Sequence, residues 1–542
     1  MSQNSTTASI TDPAPTKPGL LGDSARMAAA VAGSRLTGLL RVVMAAAVLG
    51  STVLGDLFVA INVLPLVLYD ILAGSAISSV LVPPLVRLTS KGGLPAARRF
   101  AANALGLIVV AMAVVAGAAV VGRSFIASAL TAGVEPALAN DAVKTGGLLL
   151  ALILPQLVLY AAIGVFVSIQ QSARQFLVPS AAPMVENIGL MMTIAVSWWR
   201  YGGGVEVGSS SLGLVLTLGI GSGLSVSAHT LIQYLGARRA IGPIDMTFDI
   251  DNEEIRSLAE PTKASFGWSS IIAGRQFALV VAAGFAGAGG VQAFEIATLA
   301  YFIPIALIGR PIASVALPRL AASGSSRGAI LAGYLSTMRL AAWIAVPAGV
   351  ALVLLSGPLA DVIGQGEFAN PEARSMLRYA LAGLGIGATG DALFEIARQA
   401  TMAAGDGRGL VRSTWIRAGV AVAGIPIVIL IFDGPVVLLG LGLVVSLGDV
   451  VALAVAHLAL RTDSSWAEDD LRHWPRIAVA ALMATAPAAV VGASNDGSWG
   501  VFGVGVLAAS VLVLFAWSAW LMSGRGALLG DLAASLKREE LA

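Results

Sequence analysis

The sequence predicts an all-α polytopic membrane protein. About fourteen transmembrane helices are expected, as two six-helix lobes related by an internal repeat plus two C-terminal helices. Three observations predict this: composition, the spacing of apolar runs, and a repeated proline pattern. Hydrophobic residues make up 57% of the 542-residue chain and charged residues 12%, with a mean hydropathy of +0.85. An ordinary soluble chain is about 25% charged. The net charge of +2 says little, because the charges are segregated by loop.

A helix needs ~20 apolar residues to cross a ~30 Å hydrocarbon core. Runs of that kind fall at 24–50, 55–86, 100–122, 143–170, 176–199 and 211–235 in the first half. They continue at 264–289, 293–320, 329–356, 375–401, 409–432 and 435–460, then at 474–493 and 499–523. The division is therefore a polar cytoplasmic tail at 1–23, an N-terminal lobe at 24–235 and a linker at 236–263. A C-terminal lobe follows at 264–460, the extra helix pair at 461–523 and a second cytoplasmic tail at 524–542. The first 23 residues lack the basic start and apolar core of a signal peptide and read as disordered. In the linker, Phe248, Ile255 and Leu258 suit a short interfacial helix; a plain linker is an equal reading.

Basic residues set the orientation. Arg87, Lys91, Arg98 and Arg99 follow the second run, and Arg238, Arg239, Arg256 and Lys263 follow the sixth. The alternate connections carry few basic residues, Arg123, Lys144, Arg200, Arg374 and Arg378, and several acids, including Glu135, Asp141, Glu206 and Glu367. Both termini are expected in the cytoplasm of a bacterial cytoplasmic membrane.

The repeat relates the second and eighth runs. Leu64-Pro65-Leu66 and Val82-Pro83 in the one correspond to Ile303-Pro304-Ile305 and Leu317-Pro318 in the other. Asp56 precedes Pro65 by the same spacing as Glu295 precedes Pro304. Two such lobes flanking a cavity are a transporter plan, with the site near mid-membrane at the repeat interface.

Charges inside apolar runs are the candidate site residues, since each costs ~2.5–3.5 kcal/mol at the bilayer centre. They are Arg35, Arg41, Asp56, Asp70, Glu186 (with its neighbour Asn187), Arg275, Glu295 and Arg310. Arg35 and Arg41 lie within two helical turns, with Asp56 as a counter-charge. The plain alternative for Arg35 is snorkelling to the interface. Arg275 and Glu295 read as the second lobe's counterparts of Arg35 and Asp56. Asp391, Glu395 and Arg398 share a helix face, either as a coupling group or as an internal salt bridge. An arginine-rich cavity suits a phosphate-bearing substrate, because the guanidinium fork matches phosphate oxygens.

No enzyme, metal or cofactor signature is present. There is no cysteine, only three histidines, and no Walker A motif. The run Gly383-Leu384-Gly385-Ile386-Gly387 reads as close helix packing.

At Ser34-Arg35…Gly38…Arg41, Gly55-Asp56…Phe58-Val59-Ala60, Pro65, Val82-Pro83 and Ser90-Lys91-Gly92 the chain resembles the MurJ (MviN) family of lipid II flippases. That family lies within the multidrug/oligosaccharidyl-lipid/polysaccharide exporter superfamily. Pro155, Arg174, Phe176, Pro179, Ala182-Pro183, Asn187 and Leu317-Pro318 extend the match along the membrane region. The resemblance places Arg35, Arg41 and Asp56 on the family's cavity charges. It implies a lipid-tail groove in the last two helices, and alternating access driven by an ion or the membrane potential. Two further cavity arginines of the family are missing; those levels read Tyr69-Asp70 and Leu299. The implied function is translocation of a polyprenyl-pyrophosphate-linked cell-wall precursor, lipid II, for peptidoglycan synthesis. The implied partners are that lipid, membrane lipids and cell-wall synthesis proteins, with no nucleic acid. An exporter of another lipid-linked oligosaccharide, an ion-coupled multidrug antiporter and a non-transporting scaffold are the alternatives.

Overall fold

The computed structural model describes residues 20–72, 74–249, 259–304 and 327–460. Among them every long element is helical. The first half holds α1 (Leu20–Leu49), α2 (Val53–Leu72), α3 (Gly74–Val121), α4 (Arg123–Leu130), α5 (Pro136–Ile153), α6 (Gln156–Ser172), α7 (Leu177–Ala181), α8 (Pro183–Tyr201) and α9 (Leu212–Ile241). The second half holds α10 (Ala259–Ala283), α11 (Gly290–Pro304), α12 (Arg327–Leu354), α13 (Ser356–Ile363), α14 (Pro371–Ala403), α15 (Gly407–Ile431) and α16 (Val436–Leu460).

Eight described helical stretches are long and apolar enough to cross a membrane, nine if the pair α12–α13, bent by 69°, counts as one span. Val53–Tyr69 and Ser270–Ala286 are shorter apolar helices. These account for eleven of the first twelve expected spans. The remaining one, the eighth, is described only to Pro304, as α11. The two C-terminal spans, the matching proline pair at Pro318 and Arg310 lie outside the described residues.

Several boundaries differ from expectation for local reasons. The basic loop after the second run is itself helical, broken only at Gly93, whose φ of 69° suits a residue without Cβ. Leu154 and Pro155 break the fourth run into α5 and α6. Helix α9 continues to Ile241, past the expected lobe boundary, and residues 242–249 are non-helical. Asn103 of α3 holds that strand-like strap: its Nδ2 donates to the Asp249 carbonyl and its Oδ1 accepts from the Asp249 amide, both at 2.6 Å.

In the first half α3 packs on α6, and α8 on α9 and α1; in the second, α14 packs on α12 and α16. The glycine run in α14 does what its composition suggests. A Cβ on Gly383 would lie 2.6 Å from the Leu439 carbonyl oxygen and 3.0 Å from the Gly442 Cα, so the α14 and α16 backbones touch there. Val121, Phe125, Trp199 and Leu430 stand exposed on the outside of the bundle, where a membrane would cover them.

Candidate functional site

The N-terminal ends of α2 and α11 meet across the two halves of the molecule. A helix start leaves four backbone N–H groups without partners and a partial positive charge. Asp56, in the first turn of α2, supplies an acceptor to the start of α11. Its Oδ2 accepts from the Gly289 amide at 2.8 Å and its Oδ1 from the Gln292 amide at 3.0 Å. Gln292 Nε2 returns a bond to the Gly50 carbonyl at 2.6 Å. Asn370 Nδ2 donates to Ser51 Oγ at 2.5 Å, and a Cβ on Gly366 would collide with the Ala47 carbonyl oxygen. This end of the bundle is a closed seam. A cavity of about 250 Å³ lies beside it, lined by Asp56, Glu135 and apolar side chains such as Leu57 and Val280.

Asp56 is therefore not the counter-charge of an arginine. Its lone pairs go to backbone amides of the other half, a use of a carboxylate that no residue spacing announces. Glu295 lies one turn deeper in α11 and is buried. The helices bearing the repeated proline pattern thus start at the same end of the bundle.

Arg41 sits further along α1. With Phe58, Asn62, Leu190 and Ile194 it lines a small cleft among α1, α2 and α8. Its charge acts on Glu186 and Tyr160 of the first half and on Glu295 of the second. Asp56 is not among the groups this charge acts on. Arg35 is exposed on α1. Asn187 ties α8 to α1, donating to Thr37 Oγ1 at 3.1 Å.

Glu186 belongs to a polar chain inside the first half. The Tyr160 hydroxyl donates to its Oε1 at 2.7 Å, and His229 Nδ1 lies 2.7 Å from its Oε2. His229 Nε2 faces Gln233 Nε2 at 3.3 Å, and Gln170 Nε2 donates to Gln233 Oε1 at 2.8 Å.

The second half holds a different cluster. Arg417 of α15 bonds Asp391 of α14 at 2.6 Å and Asp449 of α16 at 2.5 Å. The Tyr301 hydroxyl donates to the other oxygen of Asp449 at 2.5 Å. Arg275 lies 4.0 Å from Asp449, buried. Arg275 and Glu295 consequently do not reproduce a pair like Arg35 and Asp56: the first joins Asp449 instead. Asp391 and Glu395 have different partners. Asp391 turns to Arg417, whereas Glu395 accepts two bonds from Arg398, at 2.6 and 2.9 Å. The side chains of Asp70 and Arg310 are outside the described residues.

Tyr160, His229, Gln233, Gln292, Tyr301, Arg417 and Asp449 are the partners that sequence reading passes over. For Arg417 and Asp449 the signal was present, a charge deep in an apolar run. The others carry no charge signal at all.

A family model described as lipid II flippase MurJ matches residues 45–513. "Probable lipid II flippase MurJ" of Rhizobium meliloti (strain 1021) is 25% identical over 409 residues, covering 74% of this chain and 72% of the relative. The protein of that name from Rhizobium tropici is 24% identical over 400 residues, covering 72% of each. A solved structure titled "Lipid II flippase MurJ, inward closed conformation" superposes with a TM-score of 0.75 at 15% identity, over 92% of this chain and 98% of that one. An inward-facing multidrug resistance MATE family transporter superposes at 0.60 and 15% identity, over 80% and 93%. At these identities the two structures show a shared fold.

Proposed function

The chain belongs to the lipid II flippase MurJ family, and on that premise we propose that Arg41 is the headgroup-binding charge of a flippase for lipid II. The cargo is a polyprenyl-pyrophosphate-linked cell-wall precursor, carried from the inner to the outer leaflet by alternating access. The loops rich in arginine and lysine face the cytoplasm, as do both termini. Transport, not catalysis, is the activity. Cell-wall synthesis proteins are the natural neighbours of such a carrier.

The observation that carries this reading is the position of Arg41, a cation lining the cleft among α1, α2 and α8 inside the bundle. Without substrate, the field of Arg41 falls on Glu186 and Glu295. A pyrophosphate presents more negative charge and a geometry the guanidinium fork fits. It displaces the carboxylates' hold and so changes what joins the two halves. The seam at Asp56 is the closed outer gate in this scheme. Its bonds tie α2 to α11 and must break for the lobes to part on that side.

The test is complementation in a depletion strain, scored by growth and by the lipid-linked precursor that accumulates. Each charge-assisted hydrogen bond is worth ~1.5–3 kcal/mol. Arg41→Ala should then weaken headgroup binding roughly tenfold to a hundredfold and fail to complement, with the precursor retained inside. Arg41→Lys keeps the charge, loses the fork and should complement poorly. Normal growth of both variants at matched protein levels would overturn the phosphate role. Drug hypersensitivity without precursor accumulation would point to a multidrug antiporter.

A further inference from the structure

The chain Gln170–Gln233–His229–Glu186–Tyr160 lies in the interior of the first half, bridging α6, α8 and α9. Between His229 and the end of α9 at Ile241 the helix rises ~18 Å, which puts the imidazole near mid-membrane. His229, Tyr160, Gln233 and Gln170 are all buried, and the Glu186 side chain is 12% exposed. A histidine beside a carboxylate at that depth is costly unless it has a use.

Its hydrogen-bond partners, with the Gln170 and Gln233 amides as placed, point to one tautomer. Gln170 Nε2 donates to Gln233 Oε1, so Gln233 turns its NH2 towards His229 Nε2. An NH2 group requires an acceptor there, which leaves Nε2 without hydrogen and places the ring hydrogen on Nδ1, donated to Glu186. Tyr160 donates to the other carboxylate oxygen. In this arrangement the imidazole is neutral, Glu186 is ionised, and Nε2 is the basic end of the chain. The charged and titratable groups facing it among the described residues are Glu186 from α8, Tyr160 from α6 and, through Glu186, Arg41 from α1.

We propose that His229 and Glu186 form a proton-binding site whose occupancy is linked to the binding of an anionic headgroup at Arg41. The proton adds to His229 Nε2, giving an imidazolium held by the Glu186 carboxylate. Gln233 then turns its amide oxygen to the new N–H and its NH2 towards Gln170. Gln170 turns with it, giving up its Nε2 bonds to the Phe166 and Gln233 carbonyls, so that its Oε1, buried and without a hydrogen-bond partner among the described residues, accepts from that NH2. Proton loading is thereby passed to the side chains that join α6 to α9. The link to substrate, which rests on the flippase reading, is electrostatic. When pyrophosphate takes Arg41, Glu186 loses its compensating cation, and a proton on His229 replaces it. Headgroup binding therefore favours protonation, and protonation favours headgroup binding by the same factor.

The experiment uses full-length protein labelled at its three histidines, followed by imidazole NMR, with undecaprenyl pyrophosphate as probe. The resonance missing from His229→Gln should titrate between roughly pH 5 and 8, and the lipid should move its midpoint upward. The lipid should bind roughly tenfold tighter at the acidic end of that range. Glu186→Gln should move the midpoint down, and it serves as the reporter if His229→Gln does not fold. A resonance that does not titrate in that window, or a midpoint indifferent to Glu186→Gln, overturns the proton site. A lipid that binds without moving the midpoint overturns the linkage. A lipid that binds at no pH overturns the headgroup reading instead, and the titration still decides the proton site.

Discussion

In the first half of the molecule, the buried polar chain contains one carboxylate, one imidazole and neutral amides, with Arg41 acting on it from α1. In the second half, Arg417 is clamped between Asp391 and Asp449, with Arg275 and Tyr301 against the same aspartate. Both clusters occupy helices that pack as repeats of one plan, yet they can do different things. Arginine keeps its charge at any accessible pH, so the second cluster has one state and fixes α14, α15 and α16 together. The proton proposed at His229 Nε2 would give the first cluster two. One lobe is fastened and the other is adjustable.

The sharpest way to break that contrast is to remove a fastening. Asp449→Asn leaves Arg275 and Arg417 sharing the single carboxylate of Asp391 in a buried site. Removing one member of a buried ion pair costs ~3–5 kcal/mol. Thermal unfolding of the detergent-solubilised protein should register this as a large loss of stability, well beyond that of Glu186→Gln in the first half. Equal losses for the two variants would mean that both clusters are structural fastenings.

The next effect concerns the seam between the halves. Asp56→Asn keeps one oxygen for an amide and turns an NH2 against the other, so one charge-assisted bond is lost, worth ~1.5–3 kcal/mol. That shifts the closed population roughly tenfold or more. The chain has no cysteine of its own, so cysteines at Ser51 and Asn370, which touch in the closed seam, report it by cross-linking. The yield should fall in Asp56→Asn and stay constant in Glu186→Gln at high pH. An unchanged yield in Asp56→Asn would show that the backbone contacts around Gly366 and Ala47 suffice to close the seam.

Much of the helical plan was legible because a membrane imposes it. Apolar runs of ~20 residues have few other uses, and the described helices fall on the first twelve of them. Charge depth was legible for the same reason. Partnership was not. Asp56 looked like a counter-ion because arginines were near in sequence; its partners are backbone amides more than two hundred residues away. His229 was set aside for want of other histidines, although the residue it needed was a glutamate on the neighbouring helix. Arg417 and Asp449 carry the same depth signal as Asp391, inside the runs 409–432 and 435–460, and the sequence reading does not single them out. Spacing within one helix says which side chains share a face, not which neighbouring helix each of them meets.

Glu395 is where that lesson predicts the smallest effect. It lies one turn from Asp391 on α14, and the shared face suggests a joint role in coupling. The geometry separates them. Asp391 is buried and reaches across to Arg417 on α15. Glu395 and Arg398 pair along their own helix at i and i+3, with side chains 17% and 28% exposed, and Gln399 adds a bond from 3.1 Å. A pair of this kind along one helix is worth ~0.2–0.5 kcal/mol. Glu395→Gln keeps the acceptor oxygen for one of the two Arg398 bonds, so melting temperature and complementation should both be close to those of the unsubstituted protein. Asp391→Asn, one turn away, should lose stability on the scale of Asp449→Asn. If Glu395→Gln instead abolished complementation while leaving the melting temperature unchanged, the pair would have a part in transport that its contacts do not reveal, and the fastened lobe would be adjustable too.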